Sequence, residues 1–129
     1  MIMTPTAKVI SLLEDNIDNL PGLISDNIYA YKIDNDNVDN TNVILVVSEN
    51  SAGEHSFGNN DVLGTKRIIQ VEFYYPFDFS EDMDLIEQSV KSFLRANGYK
   101  CYLDAGHVMS PDSENIVNTL KFNFFEEDI

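Results

Sequence analysis

Residue types that commonly do chemistry are scarce in this chain of 129 residues, which has two histidines, His55 and His107, and one cysteine, Cys101. Cys101 and His107 are close in sequence, so a thiol activated by an imidazole is conceivable. However, Cys101 alternates with Tyr99 and Leu103, a pattern in which cysteine acts as a small hydrophobic residue. The pattern therefore favours a structural cysteine over a catalytic one.

The segment that begins like a metal-binding loop lacks several of the required residues. The Asp- and Asn-rich residues 34–42 resemble the start of a calcium loop. Val38 stands where the fifth-position ligand belongs, Asp39 where the sharp turn needs glycine, and Leu45 where a bidentate glutamate belongs. A solvated hairpin turn is therefore the better interpretation of this segment.

Other patterns of catalytic residues are also incomplete. A nuclease-type site could start from Asp112, but the triplet that ends at Lys121 lacks the second carboxylate, and Glu114 fits a turn. No paired Cys or His spacing is typical of zinc. The carboxylates of Asp78, Glu81, Asp82, Asp84 and Glu87 suit the start of a helix. The sequence thus predicts neither enzyme activity nor a metal or cofactor.

The spacing of apolar residues predicts two helices and five strands. The first helix starts at Pro5, after the capping residue Thr4, and extends to Leu20. The second opens in the acidic residues 78–87 and buries a stripe formed by Met83, Ile86, Val90, Phe93 and Leu94. Strands are expected at 28–33, 43–47, 65–75, 99–103 and 116–125, the last with Ile116, Leu120, Phe122 and Phe124 on one face.

The order α-β-β-β-α-β-β predicts an α+β fold, with an antiparallel or mixed five-stranded sheet and both helices packed on one face. We expect a single domain over residues 1–129, with a long loop at residues 49–64. That loop is polar and contains glycines, yet it also contains Phe57, Val62 and Leu63. Apolar groups in a loop commonly contact a partner, so we expect these three residues and Asp61 to form an interface that orders on docking.

Charge limits the classes of partner. The formal net charge is −14, from 22 acidic and 8 basic residues, and the basic residues are spread along the chain. Such a chain repels nucleic-acid phosphates and anionic membranes, so neither is an expected partner. No apolar stretch approaches the ~20 residues of a membrane helix, and the first residues lack the pattern of a signal peptide. Synthesis in the cytoplasm is therefore expected.

Several segments together resemble a family of small tail-module proteins from siphophages of Gram-positive bacteria. These segments are residues 57–61 (FGNND), 67–76 (RIIQVEFYYP), the helix exit at 98–99, and 104–112 (DAGHVMSPD). In element order the chain is also similar to tail terminator proteins, which form a ring, commonly of six subunits.

The resemblance implies a structural virion protein that caps the tail tube and joins it to the head connector. The implied partners are further copies of the chain, the major tail protein and head–tail connector proteins, and the implied location is the virion tail after synthesis in the host cytoplasm. The resemblance implies no enzyme activity and no cofactor. An acidic surface suits a ring that lets DNA pass without gripping it. A small metal- or thiol-dependent hydrolase is the alternative from a different class.

Overall fold

A computed structural model describes residues 4–33, 41–58, 61–110 and 115–127, which form two helices and six strands. The elements are α1 (Pro5–Asp15), β1 (Ile28–Ala30), β2 (Ile44–Gly58), β3 (Asp61–Tyr75), α2 (Met83–Ala96), β4 (Lys100–Asp104), β5 (Val108–Met109) and β6 (Ile116–Glu127). The predicted α+β class is confirmed. The strand prediction missed β5, which pairs with the start of β6, because two residues are too few to show an alternation.

The sheet is mixed, with the strand order β1-β2-β3-β6-β4 and with β5 beside β6. β1 runs parallel to β2, Ile28 lying opposite Leu45, and all the other pairs are antiparallel. The prediction of a hairpin turn between the first two strands is therefore wrong, because parallel neighbours need a crossover connection. The Asp- and Asn-rich residues 34–40 of that connection lie outside the described residues.

Both helices begin at side-chain caps. Thr4 Oγ1 accepts a hydrogen bond from the Ala7 amide at 3.1 Å, and Asp82 Oδ1 accepts one from the Leu85 amide at 3.1 Å. The start of α1 is as predicted, but the helix ends at Asp15 and a 3₁₀ turn covers Ile17–Asn19. The tighter turn brings Leu20 into the core without continuing the helix.

The long loop expected at 49–64 is not found in the described residues: residues 49–58 belong to β2 and residues 61–64 to β3. β2 and β3 form one antiparallel hairpin whose ladder continues to the pair Gly58 and Asp61. Between Asn50 and Glu54 the register shifts, because β2 has two more residues there than β3. Such a bulge accommodates the polar, glycine-containing sequence that reads as a loop when strand pairing is not considered.

One hydrophobic core lies between the two helices and a single face of the sheet. It joins Val9 and Leu13 of α1 to Ile86, Val90 and Leu94 of α2, and both to inward-facing residues of the central strands: Val43, Leu45, Val47, Ile69, Val71, Phe73, Tyr75, Leu120 and Phe122. After the end of α2, the Tyr99 amide donates a backbone hydrogen bond of 2.9 Å to the Leu94 carbonyl. Within the described ranges, no helix has the length and hydropathy needed to cross a membrane.

Candidate functional site

A cluster of buried polar side chains lies at one end of the core. Glu87 of α2 is only 2% exposed, and Asn118 of β6 is 1% exposed. Tyr75, the last residue of β3, is fully buried beside them. His107, from the segment between β4 and β5, completes the cluster and is the most accessible member, with 35% of its side chain exposed.

The carboxylate of Glu87 is the centre of this cluster. Its Oε2 accepts a hydrogen bond of 2.6 Å from the Tyr75 hydroxyl and lies 2.7 Å from Nε2 of His107. Its Oε1 accepts a hydrogen bond of 2.8 Å from the side-chain amide of Asn118. Burial of a charged group is costly unless such partners replace water, and here both oxygens have them.

A second carboxylate, that of Asp104, continues the network towards the surface. Its Oδ1 accepts hydrogen bonds from the side-chain amide of Asn118 (3.0 Å) and the Gly106 amide (3.3 Å). Its Oδ2 forms an ion pair of 2.7 Å with Lys91 of α2. The Gly106 amide also donates to Asn118 Oδ1 at 3.0 Å. Asn118 therefore links Glu87 to Asp104 and fixes the turn after β4.

Burial, hydrogen bonds and charges in this network shift the pKa values of three groups. The hydrogen bond from Lys91 lowers the pKa of Asp104, against the opposing effect of burial. Burial lowers the pKa of Lys91, but the hydrogen bond and charge of Asp104 outweigh it, so the pKa of Lys91 is raised overall. Burial, followed by the hydrogen bond to Glu87, strongly raises the pKa of Tyr75. Tyr75 therefore remains a neutral donor to the carboxylate.

The Glu87–His107 pair orients an imidazole at the surface, which is one element of acid–base chemistry. The Cys101 thiol, however, donates to the Leu103 carbonyl at 3.3 Å, so the described hydrogen bonds take the thiol and the imidazole to different partners. Cys101 packs against the core as a partly buried hydrophobic residue, which supports the structural interpretation. The described residues contain no group of three or more His, Cys, Asp or Glu that could hold a metal ion.

What the cluster does in the fold follows from its connections. Glu87 joins α2 to the end of β3, to β6 and to the segment between β4 and β5, which are four separate parts of the chain. Removing any one donor would leave the buried carboxylate with fewer partners. The arrangement therefore fixes the position of the β4–β5 edge of the sheet relative to α2.

The predicted interface residues lie in the β2–β3 hairpin and not in a mobile loop. Phe57 is opposite Val62 in the ladder, Asp61 begins β3 opposite Gly58, and Leu63 follows in the same strand. The hairpin brings these positions together near its turn. They are separate in sequence from Glu87, which belongs to α2. Of the rejected metal and nuclease candidates, residues 34–40, Asp112 and Glu114 lie outside the described residues.

The sequence interpretation missed Glu87 and Asn118, although both carry a signal. Glu87 was explained by the negative charge that favours helix starts, yet it lies four residues after Met83 and three before Val90, on the core-facing stripe of α2. Asn118 occupies the vacant position between Ile116 and Leu120 on the inward face of β6. A polar residue at an inward-facing position indicates a buried polar contact.

Comparison with protein families places the chain in a family. A family described as proteins of unknown function (DUF806) matches residues 4–125, and the chain belongs to it. A search among curated proteins finds no match.

Proposed function

We propose that the protein is a structural component of a phage tail, a tail terminator or a closely related tail-completion protein. The proposal rests on the sequence resemblance described above, whose segments span the distal part of the hairpin, β3, the end of α2 and the β4–β5 region. One structural observation supports it most directly, the length of the β2–β3 hairpin.

On β2 the last core residue among those described is Val47, and on β3 the first is Ile69. The ladder continues from there to the pair Gly58 and Asp61. The eight β3 positions from 61 to 68 extend the hairpin by roughly 25 Å, at a rise of about 3.3 Å per residue. β6 accompanies β3 as far as the pair of Gly64 and Glu127. A hairpin of this length, three-stranded as far as Gly64, suits an assembly protein that contacts neighbouring subunits.

Charge is a second support. A net charge of −14 would keep the subunits from binding the phosphates of DNA that passes through a ring. Other acidic assembly proteins would share this property, so charge agrees with the proposal without identifying the tail.

The test is end-binding to tail tubes. Purified protein is mixed with tubes assembled from a siphophage major tail protein, and the tubes are imaged by negative-stain electron microscopy. We expect added density at one end of each tube and none along its side. Absence of end density at saturating protein would contradict the proposal.

A shortened hairpin provides the matched variant. His55 and Thr65 are cross-strand partners, so residues 56–64 can be replaced by Asn-Gly, a two-residue turn that suits antiparallel strands. The core residues among the described side chains all lie outside 56–64, so the far-UV circular dichroism and melting temperature should stay close to the parent values. End-binding should be lost. If the shortened protein caps tubes as well as the parent does, the hairpin is not the part that carries the function.

A further inference from the structure

The β4 margin of the sheet exposes an apolar surface. Tyr102 and Leu103 of β4 are 50% and 40% exposed, and Val108 and Met109 of β5 are 61% and 56% exposed. β4 pairs only with β6, so in the part of the chain that the structure describes its outer side has no strand partner. An unprotected strand with large apolar side chains is a site for pairing with another chain.

Positive charge flanks the same margin. Arg95, at the end of α2, and Lys100, at the start of β4, are exposed and form no ion pair with any residue in the described ranges. With Lys91 they line a shallow depression between α2 and β4. In a chain with 22 acidic and 8 basic residues, two cations without an ion-pair partner in the described ranges mark where a negatively charged surface can approach.

Among the described residues, the opposite margin of the sheet is acidic and only partly covered; Glu49 there also accepts a hydrogen bond of 2.7 Å from the Tyr31 hydroxyl. β1 covers β2 only from Leu45 to Val47, where the Val47 carbonyl accepts a hydrogen bond of 2.9 Å from the Tyr31 amide. Because backbone groups alternate in direction along a strand, those of Glu49 point to the same outer side. Residues 48–58 contain Glu49 and Glu54 and no lysine or arginine.

We propose that the β4 margin, with Arg95 and Lys100, binds the outer edge of β2 in a second copy of the chain, at the stretch that begins at Glu49. The contact adds a strand to the sheet and pairs opposite charges between two strongly acidic molecules that would otherwise repel each other. The two surfaces are different, so the contact is head-to-tail and can repeat around a ring. This inference rests on the proposed function in that it names the contact through which such a ring would form.

The test uses a charge exchange. Arg95→Glu with Lys100→Glu reverses the basic margin, and Glu49→Lys with Glu54→Lys reverses the acidic one. Sedimentation velocity at low salt measures the self-association of the parent, of each variant alone, and of the two variants mixed. We expect each variant alone to associate at least about tenfold more weakly than the parent, and the mixture to recover association, because opposite charges then face each other again.

The acidic-margin variant controls for net charge. It is less negative than the parent, so general repulsion predicts stronger association, whereas the proposed contact predicts weaker association. A second arm uses Glu49→Pro, which removes an outward-pointing amide without removing a bond to β3, and should weaken association if a strand is added.

Each outcome decides a specific point. A parent that is monomeric at its highest soluble concentration, a mixture that does not recover, or a Glu49→Pro protein that associates normally would overturn the inference. End-binding to tail tubes is scored separately in the same samples. A parent that caps tubes while these association results fail would retain the proposed function and reject this contact.

Discussion

Replacing Tyr75 with phenylalanine tests whether the buried Glu87 cluster stabilises the fold. The change removes one hydroxyl, which donates a hydrogen bond of 2.6 Å to Glu87 Oε2, and leaves the ring in the core. The 3.5 Å contact of the same hydroxyl with the Met83 carbonyl is too long to contribute much. A hydrogen bond to a charged group contributes about 1.5–3 kcal/mol.

Because His107 still contacts Oε2 after the change, the carboxylate is not left without a partner, and we expect a loss near the middle of that range. A loss of about 2 kcal/mol corresponds to a melting temperature lower by about 7 °C for a chain of this length. The assay is urea unfolding followed by circular dichroism at pH 7, with the slope of the free energy against urea required to match that of the parent.

Tyr74→Phe is the matched control, because that hydroxyl donates to Glu72 at 3.2 Å on a half-buried surface. We expect it to cost less than about 1 kcal/mol, because the bond is longer and water competes for the half-exposed carboxylate. The raised pKa of Tyr75 also fixes a pH dependence: the stability contributed by its hydroxyl is complete below the unfolded-state pKa of about 10 and decreases as pH rises above it. The parent and Tyr75→Phe curves should therefore converge above pH 10. A Tyr75→Phe cost no larger than the Tyr74→Phe cost would refute the reasoning.

Two further predictions concern a glycine and an ion pair. Gly22→Ala should lower the free energy of unfolding by about 1–2 kcal/mol more than Gly98→Ala does. Both glycines have positive φ, but only at Gly22 would the new Cβ lie 2.7 Å from Ile86 Cδ1. Urea midpoints compare the two, and equal costs would mean that Ile86 moves aside freely. Lys91→Met should cost less than about 1 kcal/mol at pH 7, since the Asp104 partner is well exposed. The pKa of Asp104 is lowered in the folded state, so this contribution is present above its usual pKa of 3.8 and is lost as pH falls through the folded-state pKa. The parent and Lys91→Met should become equally stable in acid, and a difference that persists there would have to arise from packing of the lysine stem.

Residue spacing alone was sufficient to predict the helices and strands whose buried positions recur at a regular interval. The stripe of α2, the alternation of β3 and the Thr4 cap of α1 were identified from residue spacing alone, because each depends on neighbours within a few positions. The α+β class follows from the order of those elements.

Features that depend on pairing between distant segments could not be predicted from residue spacing. The alternation of β1 carries no information about strand direction, so its parallel pairing with β2 was predicted as a hairpin. Residues 49–58 have turn-forming composition, and only the ladder with β3 makes them a strand. Propensity is a weak predictor where cross-strand contacts supply the backbone hydrogen bonds.

The same distinction between local spacing and contacts of distant segments applies to the candidate site. Helix and strand periods in the sequence are sufficient to put Tyr75, Glu87 and Asn118 at inward-facing positions, although the sequence interpretation assigned Glu87 to a helix start and did not consider Asn118. Only the tertiary structure decided that these three positions meet at one point with His107, since they come from separate elements brought together by sheet order and helix packing. Burial is a property of one residue and its local period, whereas a hydrogen-bonded cluster is a property of how distant elements are packed.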